Sequence, residues 1–171
     1  MPLSTAIVVG NPKPHSRTFE AAGLVIRQLT GGEPDISIDL VDFGAELLDW
    51  SSASVTDSIA SIEGTDLVVF ASPTYKATYT GLLKLYLDRI RGGALARVTA
   101  VPLMLGGDWR HSLAPEVFLK PVLAELGASC PTHGLFLLDA DVTDSATLHS
   151  WLQVARLQLA VSPYDPSALV R

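Results

Sequence analysis

The chain has 171 residues, 48% of them hydrophobic and 18% charged, which fits one domain able to bury a core and excludes a disordered chain. A net charge of −6 argues against general binding to nucleic acid or to an anionic membrane, although a local cluster of donors can still hold an anionic ligand. The one cysteine, Cys130, excludes an intramolecular disulfide and any multi-cysteine metal site.

No basic segment followed by a long apolar run opens the sequence, and no stretch reaches the roughly 18 apolar residues of a membrane span. A cytoplasmic protein without signal peptide or membrane helix is expected. Ala6-Ile7-Val8-Val9 is a continuous apolar run ending at Gly10, as in a strand buried on both faces. From Thr18 to about Thr30, Phe19, Ala22, Gly23, Ile26 and Leu29 recur at helical spacing, and Gly31-Gly32 ends the helix. Ile36, Ile38 and Leu40 alternate with Ser37, Asp39 and Val41, which predicts a half-exposed edge strand. Val55–Glu63 predicts a short helix, Leu67–Ala71 a second buried strand, and Leu82, Leu83, Tyr86, Leu87 and Ile90 a helical stripe. Thr99–Leu105 predicts a strand ending at Gly106-Gly107. Val122, Leu123 and Leu126 belong to a helix stopped by Gly127, Gly134–Leu138 to a last strand, and Ala146–Val161 to a last helix.

Strand and helix alternate throughout, so a three-layer α/β sandwich with right-handed crossovers follows. Five parallel strands most economically take the flavodoxin-like order 2-1-3-4-5, with the alternating strand at the edge and the continuous ones inside. Two prolines conflict with this pattern. Pro102 lies inside the fourth strand, so either a bulge sits there or the paired part starts after it. Pro121 lies inside the fourth helix and either kinks it or marks a helix start near Lys120. The domain is expected over residues 1–161, with 162–171 a loose terminus or an arm on a neighbouring subunit.

In such a sheet the turns after strands 1 and 3 flank the switch point where ligands bind. The first turn, Gly10 to Thr18, places Asn11, Lys13, Ser16, Arg17 and Thr18 before a helix N-terminus. Unpaired amides, hydroxyls and a cation there suit a phosphate. The turn lacks G-x-G-x-x-G and G-x-x-x-x-G-K-[ST], so a terminal monophosphate is expected rather than a dinucleotide or a triphosphate. The plainer alternative is that Ser16 or Thr18 only caps the helix. The second turn, Ser72-Pro73-Thr74-Tyr75-Lys76, offers backbone groups stiffened by Pro73 and the flat face of Tyr75 to a ring, unless Tyr75 and Tyr79 simply cover the core. Together the turns indicate flavin mononucleotide (FMN). Gly106 and Gly107 allow close approach to that ring, or form an ordinary turn. Arg110 and His111 follow, as candidates for contact with a nicotinamide nucleotide. No G-x-S-x-G, H-E-x-x-H or C-x-x-C is present and the four histidines lack metal-ligand spacing, so a cofactor is expected to carry any chemistry.

Gly10-Asn11-Pro12-Lys13-Pro14-His15-Ser16-Arg17-Thr18 resembles the G-S-x-R-x-x-S-x-[NST] loop of NAD(P)H-dependent FMN reductases, with Asn11 for serine and Lys13 for arginine. Ser72-Pro73-Thr74-Tyr75-Lys76, then Gly81-Leu82-Leu83-Lys84 and Asp88, resembles that family's [SAT]-P-x-Y-x(5)-G-x-L-K-x(3)-D segment. Leu105-Gly106-Gly107 and Leu119-Lys120-Pro121-Val122-Leu123 are most similar to the branch serving alkanesulfonate monooxygenases. Some members of that branch insert a tyrosine before this last motif, forming a π-bulge at a subunit contact; Val117-Phe118 stands there instead. The resemblance implies a flavodoxin-like homodimer or homotetramer that reduces FMN with NADPH or NADH and supplies a monooxygenase. It puts the phosphate on Asn11, Lys13, Ser16 and Thr18. It puts the ring on Pro73, Thr74, Tyr75 and Lys76, near Gly106 and Gly107. A flavodoxin-type electron carrier is the alternative, although the first turn lacks the T-x-T-G-x-T pattern; a quinone or azo-dye reductase on the same scaffold is another.

Overall fold

The computed structural model describes residues 3–143 and 145–160; the segment expected as a tail, 162–171, lies outside the described residues. Five parallel strands form one sheet in the order β2-β1-β3-β4-β5, as expected. They are β1 (Thr5–Val9), β2 (Ile36–Asp39), β3 (Leu67–Pro73), β4 (Thr99–Gly106) and β5 (Leu135–Leu138). The strands with continuous apolar runs, β1 and β3, are buried along their whole length at the centre. Their side chains alternate between two cores. Ala6, Val8, Val68 and Phe70 face α2 (Ala53–Glu63), α3 (Gly81–Leu87) and α4 (Lys120–Glu125). Ile7, Val9, Val69 and Ala71 face α1 (Arg17–Thr30) and α5 (Ala146–Ala160). Burying both faces of a strand removes the reason for polar alternation, which is why these runs are unbroken.

Helix ends follow local chemistry. Gly31 closes α1 in the left-handed region (φ 81°) and donates its N–H to Arg27 O at 2.9 Å. Pro102 sits in β4 without a bulge, paired one-to-one with Phe70. The amide of Ala100 donates to Ser129 O, on the β5 side, while Leu105 O accepts on the β3 side, so alternate residues bond in opposite directions. Pro102 therefore turns its donorless nitrogen to the β5 side. Pairing with β5 begins one residue later, at Leu103, so no ladder bond is lost there. Pro121 is accommodated similarly. A π-helical turn over Pro115–Leu119 runs into α4, and Pro121 stands in the first turn of that helix, where a missing amide is tolerated.

Candidate functional site

The register of β1 against β3 pairs Val9 with Ala71, so the turns that follow leave the same edge of the sheet side by side. They are bonded to each other. Gly10 N–H donates to Ala71 O at 2.8 Å, and the Thr80 hydroxyl donates to Gly10 O at 2.6 Å. The same hydroxyl caps α3 by accepting from Leu83 N–H at 3.1 Å, and Thr80 N–H donates to Ser72 Oγ at 3.0 Å. A β-carbon on Gly10 would lie 2.5 Å from Leu83 Cβ, so the first turn starts with glycine because α3 crosses it in contact.

The first turn is organised by side chains. Asn11 Nδ2 donates to Thr18 Oγ1 at 3.0 Å and Asn11 Oδ1 accepts from Lys13 N–H at 2.9 Å. Ser16 is the N-cap of α1 and accepts from Phe19 N–H at 3.3 Å, so the capping role expected as the plainer alternative is real. Ser16 and Thr18 act as acceptors in these bonds, which leaves each hydroxyl its own proton to donate. The amides of Arg17 and Thr18 are first-turn donors that the helix itself cannot satisfy. Lys13 is exposed beside them. Arg17 is exposed in the same turn, and its guanidinium donates one bond to Asp139 O, past the end of β5, at 3.2 Å.

The second turn departs from its expected form. Thr74 N–H donates to Leu105 O at 2.7 Å, and Tyr75 and Thr78 exchange backbone bonds of 2.9 and 3.3 Å. The amides of Thr74 and Tyr75 are thus used within the chain. Lys76 and Ala77 close the turn at φ 52° and 70°, the primed geometry that normally selects Gly or Asn. What Thr74 leaves spare is Oγ1, buried and without a partner. Tyr75 is 52% exposed and so does not cover the core, whereas Tyr79 packs against it.

Gly106 and Gly107 differ in kind. A β-carbon on Gly106 would meet the Phe136 ring at 2.8 Å and Thr74 Oγ1 at 3.3 Å, so this glycine is required by packing beneath the turn. Gly107 faces open space. Trp109 stacks at a tilt on Phe136, with ring centroids 5.7 Å apart, and is itself half exposed. Arg110 is solvated and paired with Asp108 at 3.1 Å; His111 is half buried next to it.

Two contributors escape the sequence reading. Thr80 precedes α3 in the manner of a capping threonine, a legible signal. Asp39 is expected on the exposed side of an alternating strand, yet it is buried and accepts from His15 N–H at 3.0 Å. Burial holds its carboxyl above the usual carboxylate range, partly offset by the His15 amide. Chemically, this edge offers unsatisfied amides and a lysine for a phosphate, an orphaned buried hydroxyl, and an exposed aromatic side chain. Those residues fit the tail and ring of FMN. Grooves of about 510 Å³ along α5 and about 400 Å³ between α3 and α4 lie on the helical layers, away from these turns.

Comparison with known proteins agrees. The profile of the family described as NADPH-dependent FMN reductase matches residues 3–143. The chain is 32% identical to the FMN reductase (NADPH) of Escherichia coli (strain K12) over 141 residues, covering 80% of this chain and 74% of that protein. It is 29% identical to the NADH-dependent FMN reductase SfnF of Pseudomonas fluorescens (strain Pf0-1), covering 96% and 91%. Among solved structures it superposes on an apo NADH:FMN oxidoreductase with a TM-score of 0.84 at 27% identity, covering 96% and 92%.

Proposed function

We propose that in this chain, which belongs to the NADPH-dependent FMN reductase family, the turns after β1 and β3 hold FMN for reduction by NADPH or NADH. The protein is an oxidoreductase of that family. The amides opening α1, with Lys13, Ser16, Asn11 and Thr18, hold the phosphate, and Arg17 steadies the helix end from Asp139. Pro73, Thr74, Tyr75 and Lys76 bracket the ring, with Gly106 and Gly107 below it and Arg110 and His111 towards the nucleotide. The observation that carries this is the bond from Thr80 to Gly10, which fixes both turns on one edge. FMN, when bound, supplies the hydride acceptor. The chain's own groups bind, orient and shield; no side chain is asked to act as a nucleophile.

The open face beside Tyr75 and Gly107 favours exchange of the flavin, so reduced FMN leaves for a monooxygenase. Exposed Leu113, Val117 and Phe118 around the π-helical turn favour a homodimer or homotetramer. Residence is cytoplasmic. No helix among the described residues is long and apolar enough to cross a membrane.

Oxidation of NADPH or NADH by the purified protein with added FMN tests the activity. No rate above background with either nucleotide would reject it, and a protein that keeps FMN yet ignores both would be an electron carrier. Lys13→Ala tests the phosphate assignment. It is expected to weaken FMN binding by about 1–3 kcal/mol and leave riboflavin binding unchanged, since only FMN carries the phosphate. Equal losses for the two flavins would remove Lys13 from the site.

A further inference from the structure

We infer that Asp39 is the positioning residue of the flavin phosphate site: its buried carboxylate holds the His15 amide and thereby sets the shape of the first turn. This rests on the reading that the turn binds the FMN phosphate. Four observations carry it. Asp39 ends β2, the neighbouring strand, and is 6% exposed. Its Oδ2 accepts from His15 N–H at 3.0 Å, a contact spanning 24 positions of sequence. Its Oδ1 is buried without a partner, and although Asp39 opens a 3₁₀ segment its side chain does not cap it. His15 is held at φ 47°, in the left-handed region, immediately before the N-cap Ser16.

A carboxylate beside an anion site is unfavourable by charge alone. A buried carboxylate with one oxygen unsatisfied is costly as well. Both penalties make sense if the group supplies an acceptor that an apolar neighbour does not. Here it grips the amide of His15, the non-glycine residue of the first turn that is held at positive φ. Release of that amide lets His15 relax towards negative φ. The turn from Pro12 to Ser16 then swings, and Lys13 shifts relative to the amides opening α1. The polar part of the interaction is what matters: an acceptor at the Oδ2 position suffices, and the charge does not help.

Two variants separate these roles. Asp39→Ala removes the acceptor; Asp39→Asn keeps a carbonyl in its place and removes the charge. Binding of FMN and of riboflavin is followed by flavin fluorescence, and exchange of the His15 amide is followed by NMR in the ligand-free protein. We expect Asp39→Ala to raise the FMN Kd about tenfold while riboflavin changes by less than about twofold. We expect Asp39→Asn to keep the FMN Kd within about twofold of the parent. The His15 amide is protected in the parent and in Asp39→Asn and exchanges freely in Asp39→Ala. An unprotected His15 amide in the parent overturns the inference without any variant, so it stays testable if Asp39→Ala does not fold. Equal damage from Asp39→Asn and Asp39→Ala also overturns it. An unchanged FMN-to-riboflavin ratio in Asp39→Ala with a changed one in Lys13→Ala overturns the inference alone; an unchanged ratio in both overturns the phosphate assignment beneath it.

Discussion

Gly10→Ala is expected to destabilise the protein by about 3 kcal/mol or more, the upper range for overpacking, and to abolish FMN binding. The new methyl would lie 2.5 Å from Leu83 Cβ, 3.0 Å from Leu83 Cα and 3.1 Å from Leu83 N. Two of those atoms are helix backbone, so no rotamer change relieves the contact. Either α3 backs away from β1 or the turn moves. Both break the bond from the Thr80 hydroxyl to Gly10 O. Leu83→Ala is expected not to rescue the variant, because alanine retains the β-carbon that clashes. Chemical denaturation of the single and double variants reads this directly. A Gly10→Ala protein within about 1 kcal/mol of the parent would show that α3 is not held against the first turn.

Thr80→Val is expected to cost about 2–3 kcal/mol, combining a lost helix cap with a lost buried hydrogen bond. Valine fills the same volume, so no cavity complicates the reading. It leaves Leu83 N–H and Gly10 O without their partner at a residue that is almost fully buried. Thr80→Ser restores both bonds and is expected to recover most of the loss. FMN affinity should fall along with stability, because the same hydroxyl holds the phosphate turn to the ring turn. Thr80→Val with parental stability and weakened FMN binding would mean that Thr80 touches the ligand instead of the scaffold.

The strands and their order were legible because burial on both faces writes itself as uninterrupted apolar runs, and Gly10 and Gly106 mark where two of those runs stop. The turn positions followed from the topology. What stayed hidden depends on contacts remote in sequence. Ile36-Ser37-Ile38-Asp39 has the pattern of an edge strand with polar residues outward, and only the approach of His15 makes burial of Asp39 tolerable. Gly106 looks like a glycine for ligand approach, but the Phe136 ring beneath it comes from β5. Lys76-Ala77 carries none of the Gly or Asn signature of a primed turn, so the closure that uses up the Thr74 and Tyr75 amides leaves no trace in residue type. The 3₁₀ segment Leu40–Leu48, bent at Gly44, has no regular period to reveal it.

The proline in β4 has a bearing on how the chain avoids its own kind. β5 follows β4 in the chain, so β4 is the sheet's open flank until β5 docks. Ala100–Leu105 of β4 run apolar through Pro102, a stretch of the sort that recruits strands from other molecules. A donorless nitrogen on that flank interrupts the row of amides an intruding strand would need. The finished fold loses nothing by it, since β5 begins pairing just beyond. The residue that looked like a flaw in the strand costs the sheet no ladder bond and takes one donor away from that flank.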